Sequence, residues 1–165
     1  MSFSLPRKKM VSAHGQRHVM VWGSRERPEH TLMKALLWAL YLPDYPHSKV
    51  ETRIGDRYKP DVVQLDEDGR PLFWAEAGQV GKKKIVSLVR RFPDTHFSIA
   101  KWDMRLDNLA DLVQAAIDQA PHRSAPFDLI RFPTDSYQRF MADNGEITLV
   151  WDDLEEWRRL NQTRG

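Results

Sequence analysis

The stretch YKPDVVQL (58–65), DEDG (66–69), RPLFWAEAGQ (70–79) and VGKKKIVSLVRR (80–91) decides the fold. Two apolar runs flank Asp68-Gly69, and a basic amphipathic segment follows. Asp-Gly between apolar runs is the strongest short-range hairpin signal, because a two-residue type I′ turn needs φ > 0 at both centre positions. With Asp68 and Gly69 as the loop, Glu67 faces Arg70, Leu65 faces Leu72, Val63 faces Trp74 and Asp61 faces Glu76. Directly opposed residues share a face, with Cβ atoms roughly 4.5–5.5 Å apart. Two carboxylates that close repel unless a proton or a cation lies between them. The register therefore points to a divalent-cation site at the open end of an otherwise apolar ladder. A slip of one residue would put the pair on opposite faces.

Val62, Phe73, Ala75 and Ala77 line the other face of the hairpin, so both faces are largely apolar and both need covering. The helices to cover them flank the hairpin. Residues 28–42 read as a helix with Pro28 at its first position and Glu29 in its first turn, where the macrodipole alone accounts for a carboxylate. Leu32, Met33, Leu36, Leu37 and Leu40, joined by Ala35, Trp38 and Ala39, make that helix apolar nearly all round, hence buried on more than one side. Residues 81–92 carry Ile85, Leu88, Val89 and Phe92 at helical spacing, with Lys82, Lys83, Lys84, Arg90 and Arg91 at the ends and outer side. Strand 95–102, amphipathic helix 106–120 and strand 127–132 imply a parallel pair joined by a crossover.

The remaining segments are read as periphery. Residues 3–22 suggest two short strands about His14-Gly15, the first placed at an edge by Pro6, Arg7, Lys8 and Lys9. Residues 44–57 read as loop with a short strand at 50–54, and the tail as a short helix at 134–144, a strand at 146–151 and a helix at 152–160. The expectation is one α/β domain over residues 1–165, with core 28–102, N-terminal strands 1–22 and tail 134–165. It consists of a mixed sheet containing the Asp-Gly hairpin, with helices on both faces.

Composition narrows the chemistry. The chain has 165 residues, 41% of them apolar, a net charge of +2 and no cysteine. Disulfides, thiolate metal sites and cysteine nucleophiles are excluded. The histidines lack the spacing of a zinc site. The slight basic excess permits a nucleic-acid partner without implying one. The N-terminal residues lack the apolar run of a signal peptide, and no run approaches the ~20 apolar residues of a membrane span, so a cytoplasmic protein without a membrane partner is expected. Nothing in the pattern indicates a homo-oligomer. Most tryptophans fall at apolar positions of expected elements, while Trp22 and Trp102, at strand ends, are placed to stack on a base.

Pro60-Asp61, fourteen intervening residues and Glu76 at a strand end resemble the PD-(D/E)XK nuclease superfamily, with its restriction-endonuclease-like fold. Glu29 at the start of the buried helix, KPDVV, WAEAGQ and the following KKKI are similar to the YaeQ family within it, over residues 28–102. The resemblance implies a magnesium or manganese ion on Asp61 and Glu76, with Glu29 as a third carboxylate and the Ala77 carbonyl as a further oxygen. It implies hydrolysis of nucleic-acid phosphodiesters. The motif lysine belongs two residues after Glu76, where this chain has Gly78. The expected substitute is Lys83, in the lysine run one turn away, with Gln79 at a phosphate or water and Lys82, Lys84, Arg90 and Arg91 on the nucleic-acid backbone. That run also reads as a solvated helix face. The alternative to a nuclease is a protein of the same fold that binds nucleic acid or an acidic partner without turnover.

Overall fold

Two apolar runs on each side of one turn become the adjacent strands β4 (Val62–Leu65) and β5 (Pro71–Ala77) of a six-stranded sheet. A computed structural model describes residues 3, 5–21, 25–120 and 122–161. Before the pair come β1 (Lys8–Ala13), β2 (Gln16–Val21), α1 (Pro28–Tyr41) and the two-residue β3 (Lys49–Val50). After it come α2 (Lys82–Arg91), β6 (His96–Trp102), α3 (Asp107–Gln119), β7 (Phe127–Phe132), α4 (Ser136–Phe140) and β8 (Glu156–Leu160), the last preceded by a 3-10 turn at Trp151–Asp153. The sheet order is β3-β4-β5-β6-β7-β8, with β5–β6 and β6–β7 parallel and the other pairs antiparallel.

Strand alternation divides the interior in two. Val62, Phe73, Ala75, Ala77, Ala100, Ile130 and Phe132 join the apolar residues of α1 in one core. Trp74, Phe97, Ile99, Phe127 and Leu129 join α2 and α3 in the other. Helices therefore cover both faces, as the doubly apolar hairpin requires. Leu36 and Leu37 of α1 are fully buried although adjacent in the helix, which confirms burial on more than one side.

The turn is not the two-residue loop expected. Gly69 N–H donates to the Asp66 carbonyl at 3.1 Å, and Asp66 N–H donates to the Arg70 carbonyl at 2.7 Å, so the loop is residues 67–69. Gly69 takes φ +81° as the left-handed third loop residue. Leu65 therefore pairs with Pro71 instead of Leu72, and the register shifts between Gln64 and Leu65. That irregularity restores Val63 opposite Trp74 and Val62 opposite Ala75, as read from the sequence. Two departures cancel, leaving the far end of the ladder where it was expected.

The tail differs more. Residues 146–151 form bridges and not a strand: Ser12 pairs with Glu146 and Met141 with Ile147. Ile147 and Leu149 are buried against the α1 core without joining the main sheet. Residues 156–160 are strand and not helix, because β8 completes the sheet beside β7 and sets Arg159 opposite the fully buried Asp128. The strand expected at 50–54 shrinks to Lys49–Val50, and β1 with β2 forms a separate two-stranded sheet beginning after Pro6 and Arg7. Trp22 lies outside the described residues. Among the described residues no helix is long and apolar enough to cross a membrane.

Candidate metal centre and the adjoining cleft

Asp61 immediately precedes β4, and Glu76 is the penultimate residue of β5. Each carboxylate is held by the backbone of the opposite segment. Asp61 N–H donates to Glu76 Oε2 at 3.2 Å, and Ala77 N–H donates to Asp61 Oδ2 at 2.8 Å. The two acids thus meet at the open end of the hairpin. Burial and the Asp61 charge push the Glu76 pKa up to about 7. Burial would raise Asp61 as well, but His30, the Ala77 N–H and Lys34 overcome it and hold that carboxyl below its usual value.

Cations surround the pair. Lys84 of α2 forms an ion pair with the buried Glu76 Oε1. From α1, His30 Nε2 stands 3.7 Å from Asp61 Oδ2, and its Nδ1 lies 2.7 Å from Glu26 Oε1. The nearby Asp61 carboxylate raises the His30 pKa. Lys34, one turn further along α1 and buried, bonds Glu26 at 2.5 Å and pairs with Glu51.

The donor chemistry fits a hard divalent cation that keeps much of its water. Magnesium binds through one or two carboxylates together with substrate phosphates, and the Asp61 and Glu76 carboxylates meet here at the end of one hairpin. It does not fit a closed cage. Among the described residues no group of three His, Cys, Asp or Glu side chains is arranged to hold a metal. Glu29 is therefore not a third member of the cluster, and instead lines an adjoining cleft.

Gly78 stands where the resemblance places a lysine. Its φ is +90°, a left-handed conformation that side-chain-bearing residues rarely adopt. A cation reaches the same spot from the next strand. The parallel register puts Ala77 beside Ala100, and Lys101 Nζ donates to the Gly78 carbonyl at 2.8 Å. Lys101 is half-buried, and that burial lowers its pKa.

Lys83, the expected substitute, is exposed, and Lys84 makes the contact with Glu76 instead. The signal lies in the helical spacing. Lys84 sits one turn before inward-facing Leu88, whereas Lys83 points away from the Ile85, Leu88 and Val89 stripe. Of the cations expected on nucleic acid, Lys82 and Arg90 are exposed. Lys84 and Arg91 are engaged within the fold, with Arg91 Nη2 3.2 Å from Asp56 Oδ2 and its guanidinium over the Tyr58 and Phe92 rings. Gln79 lines the cleft with Lys101, His30 and Gly78. Glu26, His30, Lys34 and Lys101 carry no signal in the motif pattern and enter the site only through the fold. Lys101 is the most accessible of them to sequence reasoning, since a parallel neighbour for β5 brings it next to Gly78.

No protein-family model and no curated protein matches the chain. Solved structures do match. The crystal structure of YaeQ protein from Pseudomonas syringae aligns with a TM-score of 0.58 at 16% identity, covering 87% of this chain and 78% of that one. YaeQ protein from Xanthomonas axonopodis pv. citri aligns with a TM-score of 0.51 at 14% identity, covering 75% of this chain and 72% of that one. At these identities the likeness is one of architecture: the chain is similar in fold to the YaeQ proteins.

Proposed function

We propose that Asp61 and Glu76 hold a magnesium or manganese ion for hydrolysis of nucleic-acid phosphodiesters, on a restriction-endonuclease-like variant of this fold. The observation that carries the reading is the carboxylate pair itself. Its backbone-fixed geometry brings two acids together and, with burial, raises Glu76 to about 7. A bound divalent cation supplies Lewis acidity toward a phosphoryl oxygen. The chain's own groups do the rest. Lys101, anchored on the Gly78 carbonyl, presents positive charge to the cleft where a phosphate enters. His30, fixed by Glu26, keeps Asp61 charged and oriented. Exposed Lys82 and Lys83 at the start of α2 supply backbone attraction at the same end of the hairpin.

A second reading rests on Lys84. Its ammonium already neutralises Glu76, so the fold can balance the pair without metal and bind nucleic acid without turnover. Calorimetric titration with magnesium and manganese, alongside cleavage of a DNA and RNA panel, separates the two. Metal binding and cleavage that both disappear in Asp61→Ala support hydrolysis. Salt-sensitive nucleic-acid binding with no metal affinity and no cleavage supports the second reading and removes the first.

A further inference from the structure

A cleft of about 760 Å³ opens beside the carboxylate pair, between the N-terminal part of α1, the Gly78-Gln79 segment and the residues ending β6. His30 and Gly78 belong to both the cleft and the pair's surroundings. We infer that this cleft takes a single-stranded nucleic acid, with an unstacked base against a Trp102–Met104 wall and a phosphate at Lys101. The inference rests on the cleft being the substrate side of the Asp61–Glu76 site.

The lining combines two chemistries. Lys101 uses one of its three N–H donors on the Gly78 carbonyl, a neutral partner, and keeps two for an anion. Arg25 and Arg27 are exposed at the same cleft. The acids there are fewer: Glu26 is already bonded to His30 and Lys34, which leaves Glu29. Among the lining residues the core also breaks the surface. Trp102 is only partly buried, resting on Phe3 with ring centroids 6.0 Å apart, and Met104 is 56% exposed. A cleft lined by cations together with an indole and a thioether suits a ligand that is anionic along one edge and flat and apolar on another. In a duplex the base faces are covered by their neighbours, so only an unpaired strand offers a face to an aromatic side chain. Stacking of that kind is tolerant of sequence, because every base has a π-face.

The experiment is fluorescence anisotropy in EDTA, with a fluorescein-labelled deoxythymidylate oligomer and the same oligomer annealed to its complement. The single strand is expected to bind at least about tenfold tighter than the duplex, and Trp102→Leu to weaken it about tenfold while Trp102→Phe retains most of the affinity. Lys101→Gln is expected to reduce the slope of log affinity against log salt by about 0.7, one phosphate contact on a single strand. Should Trp102→Leu fold poorly, Met104→Asp probes the same wall from an exposed position. Duplex binding as tight as single-strand binding, or wild-type affinity in both wall variants and in Lys101→Gln, overturns the inference. Asp61→Asn separates it from the catalytic reading. Metal-dependent cleavage that is indifferent to Trp102 defeats the inference and leaves the metal site standing. Trp102-dependent single-strand binding without cleavage in any metal upholds the inference and removes hydrolysis.

Discussion

Burial and the Asp61 charge push the Glu76 pKa from an ordinary 4.5 up to about 7. Between those values the folded chain holds a proton that the unfolded chain has released. Stability therefore falls as pH rises through that window, because the native state binds more protons. In EDTA the loss is expected to reach up to about 3 kcal/mol across the window, at roughly 1.4 kcal/mol for each tenfold change in proton affinity. Glu76→Gln should flatten it, and magnesium should restore stability at the alkaline end; thermal melts from about pH 5 to about pH 7.5 read both effects. Asp61 has the opposite sign. Its depressed pKa contributes stability that is lost only as pH falls through the acid range. Gly78 makes a different residue-scale prediction. With φ at +90°, Gly78→Ala is expected to cost about 1–2 kcal/mol in urea unfolding, and Gly78→Lys to carry the same strain without gaining activity. The Asp61–Glu76 pairing is legible in the sequence because strand register follows from hairpin pattern. Lys84 becomes legible only through helical phase, one turn before the inward-facing Leu88.

At the scale of elements, the hairpin and the last strand behave in opposite ways. In the hairpin, a three-residue loop and a compensating bulge leave the carboxylate end of the ladder in the expected register. Local pattern survives because Val62, Val63, Phe73, Trp74 and Ala75 bury both faces at the open end, which penalises any net slip there. In the tail, residues 152–160 carry enough helix formers to suggest a helix, yet β8 forms there. Asp128 on β7 is fully buried and accepts bonds from Tyr41 at 2.6 Å and from Arg159 at 2.8 and 3.0 Å, and His96 Nε2 lies 2.6 Å from it. Burial would raise its pKa, but His96 and Arg159 overcome it and keep the carboxylate charged. Arg159→Met removes one side of this pair and is expected to cost about 3 kcal/mol, with β8 amides losing hydrogen-exchange protection first. Wild-type protection in that variant would show that β8 is held by its ladder alone.

Across the whole molecule, one sheet separates two cores, and its strands contribute alternate residues to both. Phe73 belongs to the α1 core and Trp74 to the α2–α3 core, so neither side can lose its packing while the sheet stays intact. The described residues should therefore unfold as one unit, with far-UV dichroism and tryptophan fluorescence giving superimposable urea curves. Two separated transitions would mean that one helical layer detaches independently. The same arrangement fixes the site. At the strand ends α1 brings His30 and Lys34, α2 brings Lys84 and β6 brings Lys101 around one hairpin.

The sequence by itself determined the α/β class, the three long helices, the parallel β6–β7 pair and the opposition of Asp61 to Glu76. These rest on periodicities of 3.6 and 2, which are local. Only the tertiary structure decided which cations face the pair, because Lys34, Lys84 and Lys101 come from separate elements and nothing local reports their convergence. It also made the last segment a strand, which sets Arg159 beside the buried Asp128, 31 positions earlier in the chain. And it put Gly78 where a left-handed backbone turns away from β5, so that the positive charge beside it arrives from Lys101 on the neighbouring strand.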